Sequence, residues 1–352
     1  HASFLIAETF PGQLKAIFSP QHGLFGEKQA NMRESADFIH PVLNIPVYSL
    51  YSNRRKPDRE MLADIDVLLI DLQDVGVRVY TYIQTMILCM RACADTNVEV
   101  VVLDRPNPLG GLRVEGPVVG KEFRSFVGLT PICMRHGLTI CEIAIMCRDI
   151  LGIRCRMRTA LMNGWERGML WGDTGLHWVM PSPNIPHPST CFAYAGQVVL
   201  EGTNISEGRG TTRPFEIFGA PYIDPWDLSS RLVSSEIEGV ALREIFFEPT
   251  FDKWAGRTCG GLFIHILDPD LYRPLETAVA FIASIKELWP EEFRWRKPPY
   301  EYEMEKMPVD IIMGSDSLRK MLSEGLPASE IANSWKEHEE NFEKLKKEFH
   351  LY

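Results

Sequence analysis

The sequence lacks several features that would point to a membrane or nucleic-acid role. No apolar run approaches the roughly 20 residues that a membrane-spanning helix needs. Basic residues are not in excess either, because 37 Lys and Arg stand against 47 Asp and Glu, giving a formal net charge of -10. Since nucleic-acid binding generally requires a basic face, this balance argues against DNA or RNA as a partner.

Common catalytic and cofactor motifs are missing as well. The sequence contains no G-x-S-x-G nucleophile elbow, no H-E-x-x-H metal-binding pair and no G-x-G-x-x-G dinucleotide fingerprint. These absences argue against an α/β-hydrolase esterase, a zinc protease and a nicotinamide-dependent reductase. We therefore expect no cofactor.

The eight cysteines form no C-x-x-C pair and show no zinc-finger spacing. Half of them lie within apolar helical patterns, where a thiol behaves as a small core residue: Cys89, Cys93, Cys141 and Cys147. We expect packing roles for them and no metal site. Scattered free thiols of this kind favour a reducing compartment.

At 352 residues the chain exceeds the roughly 250 to 300 residues at which single cores stop growing, so two domains are expected. Its first half alternates short apolar runs with helical patterns, which is typical of a parallel α/β sheet. The predicted strands are 15–20, 45–51, 66–74, 98–106 and 153–162, and the predicted helices are 58–65, 80–96 and 139–152. The continuous apolar character of the runs predicts strands buried on both faces.

The alternation of apolar runs and helical patterns ends at about residue 175. A Pro-rich stretch at 180–190 indicates a rigid crossing, and it is followed by a predicted strand at 260–268 and a predicted helix at 274–289. A charged helix is predicted from Ala328, with an apolar stripe at Ile331, Trp335, Phe342, Leu345 and Phe349. We predict an α/β protein with a parallel-sheet domain at 1–175 and a smaller α+β domain at 176–352.

Ligands of open parallel sheets bind outside the carboxyl ends of the strands. Three predicted strand exits are unusually polar, and they contain the candidates Gln21, His22, Asp71, Asp74, Asp104, Arg105 and Asn107. Other uses of these side chains are open, because Asp71 and Asp74 could cap a following helix and Asp104 could pair with Arg105 in a stiff turn. A lone histidine is also more often structural than ligand-binding.

The densest polar stretch of the second half is the Gly-rich segment 200–216. It supplies acids for proton transfer and arginines for carboxylate binding, namely Glu201, Asn204, Glu207, Arg209 and Arg213. A surface loop with solvated ion pairs is the alternative. The segment lacks the spacing of a phosphate-binding Walker loop, so we expect no nucleotide there.

Seven segments, taken in order, resemble the exo-β-N-acetylmuramidase (NamZ) family. They are "SPQHGLFGE", "YSNRRKP", "LLIDLQDVGVRVYTYI", "VVVLDRPNPLGG", "VEGPVV", "PSPNIP" and "LEGTNISEGRGTTRPFE". The resemblance implies a Rossmann-like domain packed against a smaller α+β C-terminal domain, with a cleft between them. It also implies an exo-acting glycosidase that releases β-linked N-acetylmuramic acid from the non-reducing end of peptidoglycan fragments.

The sequence departs from this family in two places. Members often carry Glu at the position of Gln21, and glutamine can neither ionise nor donate a catalytic proton. Other members also carry Gln there, often with a Glu a few residues further on, which Glu27 matches in this sequence. Members also begin with an additional strand, so we expect the first strand to be missing here. The alternative function is a catalytically impaired paralogue that binds muropeptides or sugars.

Most glycosidases use two carboxyl groups. We predict that Asp74 or Glu27 from the first domain faces Glu207 or Glu201 from the second across the cleft. The predicted substrate-binding residues are Gln21, His22, Asp71, Tyr82, Asp104, Arg105, Asn107, Asn184, Asn204, Arg209 and Arg213. Arg105, Arg209 or Arg213 would suit the lactyl carboxylate of muramic acid.

The resemblance also bears on partners and location. It implies MurNAc-GlcNAc oligosaccharides or muropeptides derived from peptidoglycan as substrates, with neither nucleic acid nor membrane as a partner. It favours the periplasm or secretion, whereas the scattered cysteines favour the cytoplasm.

Overall fold

The computed structural model describes residues 1–30, 32–235 and 237–352. The first part of the chain runs through α1 (Ala2–Thr9), β1 (Ile17–Ser19), β2 (Phe38–Ile39), β3 (Pro46–Ser49), β4 (Val67–Ile70), α2 (Thr81–Ala94), β5 (Glu99–Leu103), α3 (Ile140–Ile150) and β6 (Met157–Ala160). The second part contains α4 (Pro188–Gln197), a 3-10 helix (Val198–Gly202), β7 (Ile217–Ala220), α5 (Pro225–Leu232), β8 (Val240–Phe247), β9 (Cys259–Ile266), α6 (Pro274–Leu288), α7 (Pro308–Met313), α8 (Ser317–Ser323), α9 (Ala328–Asn333) and α10 (Lys336–Lys346).

Three small sheets organise these elements. In the first, β3 lies between β1, which it pairs in parallel, and the antiparallel β2. In the second, β4, β5 and β6 are parallel, with α2 and α3 packed against β5. The third is antiparallel and has the order β7-β9-β8. The predicted α/β class, with a parallel sheet and a second domain of different sheets, is confirmed.

The best-defined helix start lies at α3. The Thr139 hydroxyl accepts from the Glu142 backbone N–H, and the Glu142 carboxylate accepts from the Thr139 backbone N–H, which forms a capping box. Gly152 follows the C-cap residue Leu151 with φ of +63°, a conformation that favours glycine. The helix predicted at 139–152 is therefore present, and a glycine in the left-handed region follows its end.

Some local predictions were wrong. Residues 58–65 form turns instead of a helix, and the Asp58 carboxylate closes one of them by accepting from the Met61 backbone N–H. Strand β4 is buried on one face only, because Leu68 and Ile70 are buried while Val67 and Leu69 are 41% and 39% exposed. The continuous apolar run in the sequence does not distinguish the buried face of this strand from the exposed one.

The C-terminal segment connects the two parts of the protein. The predicted single helix from Ala328 is two helices, α9 and α10. Ile331 and Trp335 pack in the larger hydrophobic core, whereas Phe342 is buried in the smaller core around β4 and β5. At the end of the chain, the Tyr352 hydroxyl donates to Asp104 Oδ2 at 2.7 Å. The chain thus returns to its first domain.

The larger hydrophobic core is shared between the two parts. It contains Val75, Val77 and Val79 from the segment after β4, together with side chains of α4, α6 and α7. Because one core holds both sets of side chains, packing fixes the loops after β4 relative to the second half of the chain. Within the described part of the chain, no helix has both the length and the apolar character to cross a membrane.

Replacing Phe342 by Ala tests the anchoring of the C-terminal segment. Phe342 is 2% exposed, and removing such a side chain leaves a cavity that costs about 3 to 5 kcal/mol. We expect the free energy of unfolding, measured by urea denaturation, to fall by that amount. The exposed Glu340, on the same helix, provides the control variant Glu340→Ala. Equal effects of the two substitutions would contradict the anchoring role.

Candidate active site

A cavity opens where the exit of β1 meets the second half of the chain. Several separate segments build it: the loop after β1, the start of α2, the Pro-rich crossing, α4, the 3-10 helix, the Gly-rich segment and the turn before α7. Its polar lining residues are Gln21, His22, Tyr80, Thr81, Ser182, Asn184, Tyr194, Glu201, Arg209, Tyr300 and Glu301.

Gln21 is held in this cavity by both ends of its amide group. Its Oε1 accepts from the Thr81 hydroxyl at 2.7 Å, and its Nε2 donates to Glu301 Oε1 at 3.3 Å. These two bonds define the orientation of the amide, because Thr81 donates and the carboxylate accepts. Gln21 is therefore a hydrogen-bond donor to an acid that lies 280 residues away in sequence.

Glu301 is the acid that the cavity environment changes most clearly. The residue is 3% exposed, and its Oε2 accepts from the Tyr51 hydroxyl at 2.7 Å. Burial raises the pKa of Glu301 to about 7, with the nearby Glu201 adding to the rise and the bonds from Tyr51 and Gln21 opposing it. Glu301 can therefore gain or lose a proton near neutral pH.

Glu201 lines the same cavity in a different environment. Its Oε1 accepts from Arg209 Nη2 at 2.7 Å, and its Oε2 accepts from the Tyr300 hydroxyl at 2.8 Å. The cavity thus presents two buried carboxyl groups, of which Glu201 has a direct cationic partner and Glu301 has neutral hydrogen-bond donors.

Glu207 lies behind Arg209. Its Oε1 is 3.2 Å from Arg209 Nε, and its Oε2 is 2.7 Å from Lys253 Nζ. Although burial opposes ionisation, Lys253 and Arg209 hold the pKa of Glu207 below its ordinary value. The two acids and two cations alternate, so their charges balance within the network formed by Glu201, Arg209, Glu207 and Lys253.

His22 contributes a neutral imidazole. Its Nδ1 donates to the Lys28 carbonyl oxygen at 2.9 Å, which leaves Nε2 as the acceptor. Burial lowers the pKa of His22 to about 4, and the nearby Arg209 adds to the effect. At neutral pH the ring can therefore accept a hydrogen bond from a ligand hydroxyl.

Aromatic rings form much of the remaining wall. Tyr80 and Tyr194 meet edge to face with centroids 6.0 Å apart, and Tyr194 meets Phe215 in the same way at 4.8 Å. All three line the cavity. Aromatic faces interspersed with carboxylates and amides suit a carbohydrate, which offers both C–H faces and hydroxyl groups.

Five of the predicted site residues line this cavity: Gln21, His22, Asn184, Glu201 and Arg209. Asn184 exchanges two hydrogen bonds with Gln29, donating to the backbone oxygen at 2.9 Å and accepting from the side-chain amide at 3.1 Å. Glu27 does not line the cavity; it lies in a neighbouring one, where its side chain is 45% exposed.

The acids at the other strand exits bond within the protein. Asp74 Oδ2 accepts from the Gly76 backbone N–H at 2.7 Å and lies 3.2 Å from His136 Nε2. The Arg105 side chain donates to Asp71 Oδ1 at 2.7 Å. The stiff-turn interpretation had paired this arginine with Asp104. Asp104 accepts from the Thr139 hydroxyl at 2.8 Å. Their roles in substrate binding remain predictions.

The other predicted binding residues also have partners inside the protein. Asn107 donates to the Leu138 oxygen, Asn204 accepts from the Tyr222 hydroxyl, and Tyr82 donates to the Pro181 oxygen. Arg213 pairs with Glu216 at 3.3 Å and has a side chain that is 46% exposed. None of these four, all within the described residues, lines the cavity.

The predicted pairing of Asp74 with Glu207 differs from the arrangement in the cavity. Both side chains are buried, but Asp74 is bonded to its own turn and Glu207 lies behind Arg209. Glu201 and Glu301 are the two acids that the cavity brings together. Sequence analysis missed Glu301 because it lies in the turn of 300–303, outside any strand exit.

The fold and the cavity define a two-part α/β protein with two buried carboxyl groups in an aromatic-lined site. Family models described as the N-terminal and C-terminal domains of exo-β-N-acetylmuramidase NamZ match residues 1–189 and 192–352. The chain belongs to this family, so the predicted family and the predicted glycosidase class are confirmed. Among the described residues, no group of three or more His, Cys, Asp or Glu side chains could hold a metal ion.

Individual relatives agree with this assignment. The chain is 39% identical to the peptidoglycan β-N-acetylmuramidase NamZ of Bacillus subtilis over 340 residues, covering 97% of this chain and 80% of the relative. Two DUF1343 family crystal structures from Bacteroides fragilis each align with 99% of this chain, at TM-scores of 0.88 and 0.77 and identities of 32% and 26%. The alignments cover 89% and 88% of those chains.

The variant Glu301→Gln tests the protonation of the buried acid through stability. The pKa of Glu301 is about 7 in the folded state, whereas that of the unfolded carboxyl group is near 4.5. Because the folded state holds the proton more tightly, the contribution of Glu301 to stability falls as the pH rises between these two values. Glutamine removes this dependence. We expect the stability of the variant relative to the parent to increase from pH 5 to pH 8, by about 3 kcal/mol at most.

Urea unfolding of both proteins at the two pH values measures this change. Glu305→Gln is the control, because Glu305 is exposed on the same turn. A stability difference between Glu301→Gln and the parent that stays constant with pH would show that Glu301 has an ordinary carboxyl pKa.

Proposed function

We propose that this protein hydrolyses the bond of a terminal β-linked N-acetylmuramic acid in peptidoglycan fragments, using Glu301 and Glu201 as its two carboxyl groups. The observation that carries the proposal is the different environment of these two acids on one cavity. Membership of the NamZ family, and the peptidoglycan β-N-acetylmuramidase name of the Bacillus subtilis relative, support the substrate class.

Glu301 acts as the general acid. Glycoside hydrolysis needs a carboxyl group that still carries its proton near the working pH and passes it to the leaving oxygen. Burial keeps that proton on Glu301 up to about pH 7, while the bonds from Tyr51 and Gln21 hold the carboxyl group in place. Activity should therefore decline as pH rises through about 7.

Glu201 acts as the negatively charged partner. The transition state of glycoside hydrolysis develops positive charge at the sugar ring, and a fixed carboxylate stabilises it. Arg209 and Tyr300 both donate to Glu201, so its carboxyl group is oriented before the substrate arrives. In this proposal the two roles follow from the different partners of the two acids, a cation for Glu201 and neutral donors for Glu301.

Gln21 positions the acid in this proposal. It donates to Glu301 and is itself oriented by Thr81. A glutamate at position 21 would place a second carboxyl group against Glu301, and two such groups at hydrogen-bond distance would share a single proton. Glutamine gives Glu301 a donor without competing for its proton, which favours an active enzyme over an impaired sugar-binding paralogue.

Arg209 supplies a candidate contact for the acidic part of the substrate. Its Nη1 is buried without a hydrogen-bond partner among the described residues, although the side chain lines the cavity. A guanidinium N–H in this position can donate to the lactyl carboxylate that distinguishes N-acetylmuramic acid from N-acetylglucosamine. Arg209 would then favour the muramic sugar.

Release of N-acetylmuramic acid from the disaccharide MurNAc-GlcNAc tests the proposal. Loss of a positioned general acid typically lowers the rate by about 100-fold to 10,000-fold, so we expect Glu301→Gln to lose that much of kcat. Glu305→Gln, which removes an exposed carboxyl group of the same turn, should retain parental activity. A parent that hydrolyses the disaccharide while Glu301→Gln keeps its full rate would exclude Glu301 as the acid.

A further inference from the structure

A second cavity, with an empty volume of about 700 Å³, lies beside the first. It is lined by Glu27, Lys28, Gln29, Ala30, Arg33 and Phe251. The proposed hydrolysis uses none of these side chains. The lining combines an aromatic ring, two cations, a carboxylate and an amide, which is a set that can contact both the faces and the hydroxyl groups of a sugar.

The two cavities share a wall. The segment 21–30 gives Gln21 and His22 to the first cavity and its later residues to the second. The Lys28 backbone N–H donates to the His22 oxygen at 3.0 Å, and Gln29 exchanges two hydrogen bonds with Asn184, which lines the first cavity. Lining residues of the two cavities are therefore hydrogen-bonded directly to each other.

The Gly-rich segment forms the contact on the other side. The Thr250 backbone N–H, one residue before Phe251, donates to the Gly210 oxygen at 2.9 Å. Gly210 directly follows Arg209, which lines the first cavity. Phe251 is thus held by the same segment that carries the cation of the proposed catalytic site.

The shared wall has a compact local geometry. Glu27 folds back over Gly23, where a Cβ atom would lie 2.5 Å from both carboxylate oxygens of Glu27. Gly23 also has φ of +83°, so this position favours glycine on both grounds. Glu27 also bonds back onto its own loop, accepting from the Phe25 backbone N–H at 3.3 Å.

We propose that the second cavity binds the saccharide on the reducing side of the cleaved bond, beginning with its N-acetylglucosamine unit. This inference rests on the proposed function. An enzyme that removes a terminal sugar must accommodate the remainder of the chain outside the cavity that holds that sugar, and this cavity is next to it. Phe251 offers a ring face, while Lys28 and Arg33 offer donors for hydroxyl groups or for carboxylates further along the fragment.

Two substrates separate the roles of the two cavities. One is an aryl β-N-acetylmuramide, which has no second sugar, and the other is the tetrasaccharide MurNAc-GlcNAc-MurNAc-GlcNAc. We expect Phe251→Ala to lower kcat/KM for the tetrasaccharide by about 10-fold, equivalent to about 1.4 kcal/mol, and to change the value for the aryl glycoside less than about 2-fold. Arg33→Gln should act in the same direction.

Phe246→Ala is the matched control, because Phe246 is also a surface-accessible phenylalanine but lies on β8 outside the second cavity. It should leave both substrates unaffected. If Phe251→Ala changed kcat/KM equally for the two substrates, or for neither, the inference would be overturned. Neither result would contradict the proposed muramidase function.

Binding of the product side provides a readout that does not depend on hydrolysis. Calorimetric titration with the trisaccharide GlcNAc-MurNAc-GlcNAc should show binding to the parent and about 10-fold weaker binding to Phe251→Ala. A parent that cleaves neither substrate would refute the proposed function, and the titration would still decide the inference. Equal affinity of the parent and Phe251→Ala for the trisaccharide would overturn it.

Discussion

The hydrogen bond between Gln21 and Glu301 is the contact on which the site depends. It joins the exit of the first strand to a turn near the C-terminal helices, 280 residues away, and it forms only when the two parts of the chain share a core. Thr81 orients the glutamine and Tyr51 holds the other carboxylate oxygen. Four segments therefore converge on one buried acid, and its burial is what moves its protonation towards neutral pH.

The chemistry follows from giving two similar side chains different surroundings. Glu201 has a guanidinium and a phenol as partners, whereas Glu301 has an amide and a phenol. Glu201 has a directly bonded cation, whereas burial is the largest influence on the pKa of Glu301. One cavity can then hold an acid and a carboxylate at the same pH, as glycoside hydrolysis requires.

Periodicity and turn residues predicted much of the fold but only part of the site. Strands β1, β3, β4, β5 and β6 and helices α2, α3 and α6 lie within the predicted runs, and β9 begins one residue before its predicted run, because each has an apolar pattern of its own. The strand-exit rule located Gln21 and His22. It also selected Asp74 and Asp104, whose carboxylates accept hydrogen bonds from nearby N–H and hydroxyl groups of the protein. A sequence does not distinguish such internal hydrogen bonds from ligand binding. Glu301 escaped notice because its importance comes from long-range contacts with Gln21 and Tyr51.

The most direct test of the account compares the parent with Gln21→Glu in the release of N-acetylmuramic acid from MurNAc-GlcNAc. If Glu301 is the acid and Gln21 its positioning donor, the parent is active and Gln21→Glu gains nothing, because a second carboxyl group competes for the same proton. An inactive parent that becomes active in Gln21→Glu would contradict the account. That result would mean that the catalytic acid belongs at position 21 and that the protein, as it stands, only binds its sugar.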